Sequence, residues 1–149
     1  MVTFYALGGA TSLDRSNRTT NVNWWEEEAI TSEQAKKASL MGATDILLLH
    51  DCPAGVEIPG IDKLSSLRIW PESALRDAWA HRDLLLEICQ SLKPKEIYHG
   101  HFHLRYSTIV DLHTEYSTKV TGLSDESPGV SANTVILVLS ELRENIKNN

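Results

Sequence analysis

The stretch Ile97–Tyr106, IYHGHFHLRY, places His99, His101 and His103 within five positions, directly after a short apolar run. His50 closes another apolar run, TDILLLH, and is followed at once by Asp51. Neutral imidazole is a good ligand for zinc, manganese, iron and similar divalent ions, so these residue types point to metal binding. Both runs read as buried strands. Two strands that end in histidine would present their side chains at the same sheet edge, and ligands of open α/β sheets bind beyond the carboxyl ends of the strands. Gly100 is expected to let the GHFH loop turn tightly, so that His101 and His103 can point at neighbouring sites. His50, His101 and His103 are therefore the candidate ligands, while His99 is either a support behind them or an exposed residue. His81 and His113 stand alone in sequence and are expected to be solvated.

Alternating strand and helix signals must position these groups. VTFYALGG reads as a buried strand stopped by two glycines. The polar, irregular stretch that follows, through Trp24, Trp25 and Glu28, reads as a long loop. Thr31 with Gln34 three residues later has capping-box spacing, and Gly42 closes the helix that this begins. CPAGVEIPGIDKLSSLRI, residues 52–69, carries glycine and proline turn points and reads as loop. Pro71 suits a helix start. Leu75, Ala78, Trp79, Leu85, Leu86 and Cys89 then recur on one helical face until KPK ends it. KEIYHG is a third strand, and YSTIVDLH, EYSTKV and NTVILVLS read as an antiparallel meander. The expectation is one α/β domain over residues 1–149, with a β-rich last third.

Composition narrows the class further. The 149 residues are 42% hydrophobic and 23% charged, which suits one globular domain with a real core. A net charge of −6 with no basic run gives no patch for neutralising nucleic-acid phosphates. No apolar stretch approaches the roughly 18 residues that span a bilayer. The N-terminus lacks the pattern of a secretory signal, and Cys52 and Cys89 make no disulfide framework, so a reduced, cytoplasmic protein is expected. Asp14, Arg15 and Arg18 can grip a phosphate or form a surface ion-pair cluster. Trp24 and Trp25 are expected to pack in the core rather than form a substrate platform.

TDILLLHDCPAG followed by YHGHFHLRY resembles the second half of the calcineurin-like metallophosphoesterases, and ALGGATSLDR…NWWEEEAIT resembles the stretch preceding those motifs in bacterial and phage members. The resemblance implies the C-terminal half of an αββα sandwich that hydrolyses phosphomonoesters or phosphodiesters with two divalent ions, whether Mn, Fe, Zn or Ni. Carried over by position, His50 and His101 would bind one ion and His103 the other. No metal role is carried over to Asp51; apart from the resemblance, His99, Asp51, Asp14, Arg15 and Arg18 are the candidates to stand behind the ions or meet the phosphate-ester substrate. In the family, two ions hold the phosphate oxygens and activate a water for in-line attack. The family's other ligands come from D-x-H, G-D-x-x-D and G-N-H-[DE] motifs. This chain has no Gly-Asp or Asn-His pair, and Asp111–His113 matches D-x-H only as letters. The expectation is a half-site, inactive alone and completed by an N-terminal half or by self-association. The alternative is a non-catalytic remnant that binds a protein or a single metal ion.

Overall fold

Four short strands align in parallel because the chain returns to the same starting edge between them, through a helix or through a hairpin strand. The computed structural model describes residues 1–62, 68–125, 127–138 and 140–141. The strands are β1 (Phe4–Leu7), β2 (Ile46–Leu49), β3 (Glu96–His99), β4 (Tyr106–Val110) and β5 (Thr118–Gly122), and the helices are α1 (Ser32–Ser39), α2 (Glu72–Leu92) and α3 (Val130–Asn133). They form one five-stranded sheet in the order β1-β2-β3-β5-β4. Only β4, the hairpin partner of β5, runs antiparallel. The protein is thus mixed α/β with a mostly parallel sheet.

The helix signals act locally. Thr31 accepts from the Gln34 backbone N–H while the Gln34 side chain accepts from the Thr31 N–H, the reciprocal cap expected of this spacing. Helix α2 begins one residue after Pro71 and ends at Lys93, which adopts a left-handed conformation before Pro94. Trp79, expected on the apolar face of α2, is 47% exposed, and the polar pair His81 and Arg82 is buried instead. Their hydrogen-bond partners lie on the loop after β2, so burial there follows pairing rather than hydropathy.

Helix α1 packs against α2, and both cover one face of the sheet. The core holds Ala35, Ala38, Leu85, Ile88 and Leu92 from the helices against Leu47, Ile97 and Val120 from the strands. Burying each Leu, Ile or Val side chain stabilises the fold by about 1.5–3 kcal/mol. The opposite face is only partly covered: Val2, Val135 and Leu137 pack over Ile46 and Tyr98. Phe4 (47%), Leu48 (38%) and Ile109 (71%) remain exposed on that face.

Three expectations change here. Strand β1 is not buried; it is an edge strand with Phe4 and Ala6 open to solvent, and among the described residues no strand pairs with its outer edge. The last third is less β-rich than its sequence suggests, since 134–138 of NTVILVLS follow α3 as extended chain without ladder bonds. Its apolar alternation is used to lay Val135 and Leu137 over the sheet rather than to extend it. Residues 52–62 are loop as expected, while 63–67 of that segment lie outside the described residues.

Candidate functional site

The parallel strands β1, β2 and β3 bring three loops to one edge: Gly8 to Arg18 after β1, His50 to Asp62 after β2, and Gly100 to Arg105 after β3. A cleft of about 1060 Å³ opens between them, lined by His50, His101, His103, Asp14 and Arg18 among others. Gly9 is needed at its wall. Its φ is +111°, and a Cβ there would stand 2.8 Å from Ile30 Cγ2 and 3.0 Å from the Glu28 carbonyl oxygen.

The imidazoles of His50 and His101 meet edge to face with ring centroids 5.3 Å apart. His101 is half-buried, and burial lowers its pKa, opposed by the negative charge of Asp51 and reinforced by His50. His101 therefore favours the neutral form that ligates a cation. His103 lines the same cleft but turns to Asp125, with Nδ1 3.3 Å from Oδ2.

The turn itself departs from its sequence reading. Gly100 is not left-handed, and a Cβ there would meet only the His50 carbonyl, at 4.0 Å. The left-handed residues are His101 (φ 66°) and His103 (φ 54°). Each such non-glycine position costs of order 1 kcal/mol and persists only where its surroundings over-determine it. Here the loop is held by Gly100 N–H to the His50 carbonyl (3.1 Å), Leu123 N–H to the His99 carbonyl (2.8 Å) and Ser124 Oγ to the His103 carbonyl (3.0 Å). The strain is concentrated on the two histidines that face the cleft.

His99 is not exposed. Its side chain lies in the core, with Nε2 2.7 Å from the Tyr106 hydroxyl and Nδ1 3.0 Å from the Gly100 carbonyl. Desolvation pushes its pKa down from 6.5 to about 4. The unfolded chain binds this proton near the ordinary value, so between the two values the unfolded state holds more protons. The stability associated with neutral His99 is complete above about pH 6.5 and is lost as pH falls toward 4. Between pH 8 and pH 5 this contributes a loss of about 2 kcal/mol. Urea denaturation at both pH values should show that loss reduced by about this amount in His99→Gln; equal losses in the two proteins would refute it.

Asp51 and His81, 30 residues apart, form a pair missed by the sequence reading. Both side chains are 2% exposed, with His81 Nδ1 2.9 Å from Asp51 Oδ2. Asp51 Oδ1 also accepts from the Cys52 N–H at 2.7 Å. The adjacent Arg82 donates to the Val56 carbonyl (2.7 Å) and to Asp62 (3.0 Å). Two consecutive residues of α2 thus hold the loop that begins at His50. Expecting His81 to be solvated was wrong because a carboxylate 30 residues upstream satisfies it in the core.

The remaining candidates divide. Arg18 Nε donates to Asp14 Oδ1 at 2.8 Å, and this bond lowers the Asp14 pKa; both residues line the cleft. Arg15 instead pairs with Asp77 of α2 and lines a neighbouring cavity. His113 is half-buried rather than solvated, its ring edge-on to Tyr116 at 4.4 Å. Asp111–His113 follows β4 at the opposite edge of the sheet from His99, because β4 runs antiparallel, so it plays no part in the cleft. Trp24 and Trp25 join neither hydrophobic cluster. Cys52 and Cys89 are buried free thiols, raised by desolvation to about 12 for Cys52 and higher still for Cys89.

The donor set tests which ions fit. Two imidazoles on one tetrahedral ion, with bonds of about 2.0–2.1 Å, place their ring centroids roughly 5 Å apart. The His50–His101 spacing has that size. Of the carboxylates near the histidines, Asp51 is committed to His81 and Cys52, Asp14 to Arg18 and Glu28 to Ser12 and the Trp25 N–H, while Glu27 also lines the cleft. Among the described residues, no three His, Cys, Asp or Glu side chains are grouped to hold an ion. Nor is any described helix long and apolar enough to cross a membrane. In comparisons with known proteins, no family model and no curated protein matches the chain.

Proposed function

We propose that this chain is the histidine-bearing part of a divalent-metal-dependent phosphoesterase, with His50 and His101 holding one ion at the carboxyl edge of the sheet. The observation that carries this reading is the approach of those two imidazoles, from different strand ends, within one large cleft. Manganese, iron, zinc and nickel all suit such nitrogen donors. When bound, the ion would supply Lewis-acid polarisation of a phosphoryl oxygen. The chain's own groups do the rest. Arg18, with Asp14 beside it, presents a guanidinium to a phosphate in the cleft, and Asp51 with His81 holds the loop that carries His50.

Two-ion hydrolysis needs carboxylate and histidine donors that the cleft does not assemble. Those donors would come from a second polypeptide segment, as the missing half of a sandwich, or from a second copy of this chain. The partly bare sheet face, with Phe4, Leu48 and Ile109 exposed, is the surface such a segment would cover. The non-catalytic alternative, a module that keeps a single ion, uses the same two histidines.

The deciding experiment is manganese-dependent hydrolysis of a generic phosphodiester by the purified chain, against His50→Ala and His101→Ala. Activity lost in both variants supports the proposal and means that copies of the chain complete the site. No activity above the variants, together with activity restored by an added segment carrying G-D-x-x-D and G-N-H-[DE], supports the split site. No activity in either case rejects the phosphoesterase reading and leaves the binding module.

A further inference from the structure

Beside the histidine cleft lies a second cavity, of about 300 Å³, whose walls include Trp24, Trp25, Thr11, His81 and Glu26. We propose that it receives the nucleobase of a nucleoside phosphate whose phosphate lies in the cleft. The proposal rests on the phosphoesterase reading for the phosphate, and on four observations for the base.

The first is the placement of the two indoles. Large aromatic side chains are normally held by core packing, yet neither indole belongs to the core and both line this cavity. Two indoles beside a space of this size suit a planar ring, since stacking on an aromatic side chain serves any base. The second is continuity. Ala10, Ser12, Glu28, Ala29 and Ile30 line both the cleft and the cavity, so the two spaces adjoin.

The third observation is charge. The cavity carries Glu26, Glu28 and Asp77 against one cation, Arg15, which is already paired with Asp77. Carboxylates repel phosphate and favour a ring bearing amino groups. The cleft wall also carries Asp14, Glu27 and Glu28 against Arg18, so it is the imidazoles, as ligands of a cation, that make it the place for phosphate. The substrate is thereby oriented: phosphate at the strand ends, base between the loops. The chain's net charge of −6 also favours a mononucleotide over a strand.

The fourth is an unmet polar demand. His81 Nε2 and Thr11 Oγ1 are buried without hydrogen-bond partners, and both residues line the cavity. Asp51 takes up His81 Nδ1, which leaves Nε2 for an occupant. A buried ring nitrogen and a buried hydroxyl without partners are groups that an exocyclic amino group can satisfy.

The test is calorimetric titration of the full chain, without metal, using adenosine, AMP, ribose 5-phosphate and inorganic phosphate. Adenosine and AMP are expected to bind. Trp24→Ala and Trp25→Ala should each weaken adenosine about tenfold, and Ala80→Trp should block it by filling the cavity while leaving the half-exposed indoles in place. Circular dichroism checks that each variant folds. Failure of adenosine to bind, or binding unchanged in all three variants, overturns the proposal. Adenosine has no phosphate, so its result is independent of the ion. Loss of adenosine binding alongside His101-dependent hydrolysis would reject the base pocket alone. Tryptophan-dependent adenosine binding without hydrolysis would uphold the pocket and reject the phosphoesterase.

Discussion

Asp51→Ala is expected to lower the unfolding free energy by about 3 kcal/mol. Two donors depend on this carboxylate, His81 Nδ1 and the Cys52 N–H, and the site is closed to solvent. Since His81 Nε2 has no partner either, removing Asp51 leaves the whole ring buried without a polar contact. Repacking around it is blocked because Arg82, the next residue, is held by Val56 and Asp62. Asp51→Asn keeps one acceptor oxygen and should cost only about 1 kcal/mol. Urea denaturation curves of the three proteins measure the difference. A loss below 1 kcal/mol in Asp51→Ala would show that the loop tolerates the unpaired imidazole. The same variant should weaken metal binding at His50, since the peptide that carries His50 continues directly into Asp51.

The second large effect concerns the ion. In calorimetric titrations with zinc or manganese, His101→Ala and His50→Ala are each expected to weaken binding at least about a hundredfold, or some 2.7 kcal/mol. Each removes one of the two imidazoles that stand at ligand spacing, and Asp14 of the cleft is committed to Arg18. His103→Ala should change affinity by about threefold at most, because His103 is paired with Asp125 and exposed on the cleft rim. A His103→Ala loss as large as that of His101→Ala would mean that His103 leaves Asp125 to join the ion. All three histidines would then serve one ion, whereas the metallophosphoesterase resemblance gives His103 to the second.

The elements that place the site were legible because their signals are short-range. A capping box spans four residues, and an apolar run of four or five declares a strand without knowledge of its neighbours. Two runs ending in His50 and His99 were enough to place histidines at one sheet edge, once parallel pairing is assumed. Parallel pairing itself was legible in the helices between the strands. The solvent-facing edge of β1 was not, because a strand's burial depends on which side of the sheet receives cover. The end of the chain misled for a related reason: Val135 and Leu137 alternate as a strand would, yet they serve as a lid over Ile46 and Tyr98.

By itself the sequence determined the α/β class, the α1 cap, the absence of a disulfide framework and the histidines that a sheet edge would present. Tertiary structure alone decided which imidazoles meet. It brought His50 within 5.3 Å of His101, turned His103 to Asp125, drew His99 into the core beside Tyr106, and set Trp24 and Trp25 around a cavity. The physical reason is separation along the chain. Asp51 and His81 are 30 residues apart, and no periodicity or local propensity encodes a contact at that distance. Only the packing of α2 over β2 creates it, and with it the buried pair that anchors the loop carrying His50.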